Sequence, residues 1–254
     1  MQHVVHLFIG DELVSFRDRF ASMFRNIQTD INDAFFAAIT VTRDDDGIIT
    51  LNPDDQGDTL DKSSAELYNY FEALFERRVT VANPGNKTLV VNIWTALYTD
   101  KCGDIVRQLI EVANSCKSRI IVEVSGFTND AVSCFIPSPS DRQSPEGYRQ
   151  CFDKNLSELR ARRANLGALR LIANKNTTGV SLNFNEDVMA QVCAEFAAIM
   201  CRHYTTIQPS VVDYLQTPFE SFGLSSVKFD RRYYHDYIRN RILVDRLGQE
   251  GVNN

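Results

Sequence analysis

Three short runs set the terms for this chain: His3–Ile9 (HVVHLFI), Lys87–Leu97 (KTLVVNIWTAL) and Arg119–Val124 (RIIVEV). Each is nearly continuous in apolar, mostly β-branched or aromatic residues. None shows the strict polar alternation that one wet face would impose, so they read as strands buried on both sides. Between them lie amphipathic segments. Leu13, Phe16, Phe20, Met23 and Phe24 recur at helical spacing after Gly10-Asp11, and Ile105, Leu109, Ile110 and Val112 mark a helix over Asp104 to Ser115. Buried strands joined by helices predict an α/β fold with a mostly parallel sheet of about 4–6 strands and helices on both faces.

The remaining punctuation refines this. Ala37–Arg43 and Ile48–Leu51 flank Asp44-Asp45-Asp46-Gly47, which predicts a β-hairpin insertion with glycine in the left-handed position. Asn52 to Lys62 reads as a polar loop. Ser63 or Ser64 caps a helix carrying Leu67, Tyr70, Phe71 and Leu74. Ala131 to Ile136 reads as a continuation of the third strand. Pro137 to Pro145 is the clearest internal boundary, and Pro145 suits the first turn of a helix running to about Ala164. Ala168 to Ala173 reads as a further strand, and Asn185 caps a helix from Glu186 to about His203. The expected organisation is a single domain over 1–254, sheet-rich over 1–136 and mostly helical over 145–254. The C-terminal third is therefore expected to be helical.

Charge and cysteine usage restrict function. Lys+Arg 27 against Asp+Glu 33 leaves a net charge of −6, which disfavours nucleic acid as a partner because phosphate neutralisation supplies most of that affinity. The six cysteines form no C-x-x-C pair and no zinc spacing with histidine, as for reduced thiols in a cytoplasmic protein. Met1 to Gly10 has no basic n-region or cleavage signature, and no apolar run approaches the ~18 residues of a membrane span. A cytoplasmic location without membrane partners is expected.

No motif assembles a catalytic centre or calls for a cofactor. Pro84-Gly85-Asn86-Lys87-Thr88 precedes a strand instead of a helix, so it is a turn and not a phosphate loop. There is no G-x-G-x-x-G and no G-x-S-x-G. The acidic loops around Asp45 and Asp55 lack the ligand spacing of a calcium loop. Thr178 to Val188 (TGVSLNFNEDV) is similar to the segment leading into the central helix of tubulin and FtsZ proteins. The glycine-rich phosphate loop those proteins need is absent near Gly10, so no residue role is carried over and no family is assigned.

Two places remain for chemistry. In parallel sheets ligands sit beyond the carboxyl ends of strands. There Asp11, Asp100 and Asp130 are the candidate ligand-binding residues, able to converge on a hard cation. The same residue types cap helices and make turns, which is the simpler account of Asp11 and Asp104. No metal ligand set is assigned. The second place is the C-terminal segment Arg231 to Leu247, where Tyr234, Tyr237, Ile238, Arg239 and Arg241 form an aromatic and arginine-rich arc of the kind that anchors interfaces. A further basic stretch runs from Cys151 to Asn176. The sequence predicts a non-enzymatic component or regulator of a protein assembly, with a protein partner or self-association. The alternative is a nucleotide- or small-ligand-binding protein with a noncanonical pocket at the strand ends, and the third is a metal-dependent hydrolase.

Overall fold

The computed structural model describes residues 3–27, 36–43, 49–53, 60–62, 64–76, 89–117, 120–136, 138–162, 165–175, 179–206 and 219–223. The strands are β1 (His3–Ile9), β2 (Phe36–Arg43), β3 (Ile49–Pro53), β4 (Leu60–Lys62), β5 (Leu89–Ala96), β6 (Ile120–Phe127), β7 (Ala168–Ala173) and β8 (Phe219–Gly223). The helices are α1 (Val14–Ile27), α2 (Ser64–Phe75), α3 (Asp100–Ser115), α4 (Val132–Phe135), α5 (Pro145–Ala161) and α6 (Glu186–Thr206). By its internal contacts the chain divides into one compact unit over Met1–Leu224 and a second over Ser225–Asn254. The second lies outside the described residues, and with it the candidate interface residues Tyr234, Tyr237, Ile238, Arg239 and Arg241.

All eight strands form one sheet in the order β4-β3-β2-β1-β5-β6-β7-β8. The run from β2 to β8 is parallel, and β3 and β4 extend it as an antiparallel edge. The α/β reading of the sequence therefore holds. The three apolar runs are neighbouring interior strands, with His6 opposite Asn92 and Asn92 opposite Glu123. The hairpin forms with Arg43 opposite Ile49, its tip lying outside the described residues.

Alternation sorts each strand's side chains between two cores. On one face Val5, Leu7, Ile9, Val91, Ile93, Val122 and Val124 pack under α2, α3 and α5 through Phe71, Ile105, Leu109, Leu156 and Leu159. On the other Phe8, Trp94, Phe127 and Ile172 meet α1 and α6 through Phe16, Phe20, Phe24, Met189 and Cys193. The second core is aromatic: Phe8 stacks on Trp94 at 5.9 Å, and Phe16 meets Phe127 edge-on at 5.2 Å. Small residues on α6, Ala190, Ala194 and Ala197, accommodate this bulk, and burying each large apolar side chain is worth about 1.5–3 kcal/mol.

Four local expectations are corrected. The expected strand over Ala131 to Ile136 is instead a 3-10 turn, Asn129–Ala131, running into α4, because β6 ends at Phe127 and Thr128 starts a turn with Ala131 N–H donating to Thr128 O at 2.9 Å. The loop expected over 52–62 contains the end of β3 and the short β4, recruited by pairing with the hairpin. Asp11 lies inside a 3-10 turn, Asp11–Leu13, and α1 starts only at Val14. Phe219–Gly223 is a strand within the supposedly helical C-terminal third. Its pairing with β7 overrides the local pattern and, together with β3 and β4, brings the sheet to eight strands.

Candidate site at the strand ends

The sheet reverses its order at one place. From β1 the chain moves to β2 on one side, and the later strands β5 to β8 are laid on the other side. Connections leaving β1 and β5 therefore diverge, the arrangement in which open parallel sheets form a crevice above the strands' carboxyl ends. Gly10-Asp11-Glu12 and Leu97-Tyr98-Thr99-Asp100 border it.

Gly10 has a φ of +99°, a conformation that L side chains rarely adopt. Its N–H donates to Val41 O at 2.9 Å, and its carbonyl accepts from Leu13 N at 3.2 Å. The Glu12 carboxylate folds back over it: a Cβ at Gly10 would lie 2.8 Å from Glu12 Oε1. Across the crevice Thr99 Oγ1 approaches Glu12 Oε1 at 3.4 Å and Ala96 O at 3.2 Å. Thr99 is the N-cap of α3 by position, yet its side chain makes no cap bond.

Asn155 of α5 fixes the loop after β5. Its Nδ2 donates to Leu97 O at 2.8 Å and to Thr99 O at 2.9 Å, and the residue is buried. Asn is a poor helix-interior residue, and here tertiary hydrogen bonds explain it. Gly103 on α3 leaves room for this clamp, since a Cβ there would lie 2.6 Å from Asn155 Oδ1.

The three aspartates are placed as follows. Asp100 opens α3 and is exposed, with Lys154 Nζ 3.8 Å away. Asp130 lies in the turn after β6 and pairs with Lys175 Nζ at 2.5 Å. The two thus engage lysines of different elements, and for Asp11 only the backbone is described. Among the described residues no group of three His, Cys, Asp or Glu side chains is placed to hold a metal ion. The Cys151 thiol is pushed up, by burial first and then by the Asp100 carboxylate.

The stretch Cys151 to Asn176 is not one basic surface. Lys154 and Lys175 are those same ion-pair partners, and Arg170 lies in the sheet core bound to Glu123 at 2.6 Å. Sequence reasoning gave no role to Glu12, Thr99 or Asn155. The signals were there: an acidic residue following a strand-ending Gly, and an Asn inside a helix. No helix among the described residues is long and apolar enough to cross a membrane. No family model matches this chain, and neither does any curated protein or solved structure.

Proposed function

We propose that this chain is a cytoplasmic α/β protein that binds a small polar ligand in the crevice above β1 and β5. The supporting observation is the reversal of strand order at that point, the place where open parallel sheets take ligands. The Glu12 carboxylate makes this place acidic. The ligand therefore presents donor groups or positive charge, or brings a hard divalent cation, as a magnesium-bound nucleotide does. Thermal unfolding with a panel of nucleotides, with and without magnesium, tests this by linkage. At least one nucleotide raises the Tm of the wild type, and Glu12→Lys removes the rise while the unliganded Tm stays close to wild type. A panel that leaves the wild-type Tm unchanged sinks the reading.

A second reading, a component or regulator of a protein assembly, is favoured by the composition of Arg231 to Leu247, whose Tyr234, Tyr237, Ile238, Arg239 and Arg241 are residues suited to a protein partner or a second copy. Truncation after Phe229 is expected to leave thermal stability near wild type and to lower the mass of the particle in sizing experiments. Unfolding of the truncated chain overturns this reading.

A further inference from the structure

We draw no further inference here: the strongest candidate, the exposed loop around Ser140 and Ser144 that leads into the N-terminus of α5, carries nothing, because the Ser144 hydroxyl is already used as the helix cap, accepting from Gly147 N–H at 3.1 Å, and no second observation among the described residues points to a ligand or a modification there.

Discussion

Arg170 Nη1 donates to Glu123 Oε2 across 2.6 Å between neighbouring strands β6 and β7, with side chains only 2% and 5% exposed. The pair sits on the α1/α6 face, and the Arg170 guanidinium lies 5.7 Å from the centre of the Phe196 ring on α6. Ser125 Oγ donates to Asn92 Oδ1 at 3.1 Å, and Trp94 Nε1 donates to His6 Nδ1 at 2.9 Å on the same face. Hydrogen-bonded polar pairs thus cross four parallel strands beneath α1 and α6. Such pairs fix which strands are neighbours and at what register, since a one-residue slip moves every partner to the other face.

Breaking the ion pair strands a charge in the core. Glu123→Ala and Arg170→Ala are each expected to destabilise the fold by about 3–5 kcal/mol, whereas Glu123→Leu with Arg170→Met costs clearly less than either single change. Urea unfolding of the three variants checks this. Equal and additive losses contradict a coupled buried pair.

His6 makes stability depend on pH. Burial among Phe20, Phe24 and Trp94 lowers its pKa to about 3, and its Nδ1 must stay unprotonated to accept from Trp94. The unfolded chain takes up a proton near the ordinary value of 6.5 and the folded chain does not, so stability falls as pH drops below 6.5 and goes on falling to about 3. Between about pH 7 and pH 4 the loss from this group is about 3 kcal/mol. His6→Gln keeps an acceptor for Trp94 without titrating and flattens that part of the curve. Trp94 is the chain's single tryptophan and is fully buried, so its fluorescence reports the transition.

Gly103 and Asn155 are coupled. Replacing glycine by alanine inside a helix ordinarily stabilises by up to ~1 kcal/mol. Here the new methyl would stand 2.6 Å from Asn155 Oδ1, so Gly103→Ala is expected to destabilise. Asn155→Ala removes both bonds to the loop after β5 and costs about 1–3 kcal/mol. In the double variant the methyl occupies vacated space, and the combined loss is smaller than the sum. Thermal unfolding of the three variants reads the coupling, and strict additivity refutes the clamp.

What was legible in the sequence follows from how local each signal is. The mostly apolar run of Leu89–Ala96 and the spacing of Phe16, Phe20 and Phe24 are set by burial on two faces or one, so β5, α1 and the sheet class could be read directly. The edge strand Leu60–Lys62 and the strand Phe219–Gly223 could not, because pairing with β3 and β7 and not their own composition makes them strands. The crevice was legible as a place, from Gly10 at the end of β1. Its members were not, because Glu12 and Asn155 reach it from different elements, and only the order of the strands brings those elements together. The buried pair of Glu123 and Arg170 had a trace in the sequence: one charge in each of two apolar strands, of opposite sign.

The thiols provide a readout of the α6 core. Burial pushes Cys134 up to about 12, with Glu186 adding to it, and raises Cys193 further still. Cys116, half-buried at the end of α3, is pushed up to about 11 by burial and by Glu72. Only the thiolate is alkylated, so all three are protected electrostatically, but Cys193 is also closed off under α6 with no exposure. Iodoacetamide at mildly alkaline pH, followed by peptide mass mapping, is expected to label the part-exposed Cys151 and Cys116 slowly in the folded protein and to leave the buried Cys193 unmodified. Labelling of Cys193 should rise with the unfolded fraction across a urea series and match the loss of Trp94 burial, because both residues belong to the aromatic core under α1 and α6. Labelling of Cys193 at the rate of Cys116 in the absence of urea would mean that α6 leaves the sheet without global unfolding, and the packing described for that face would be wrong.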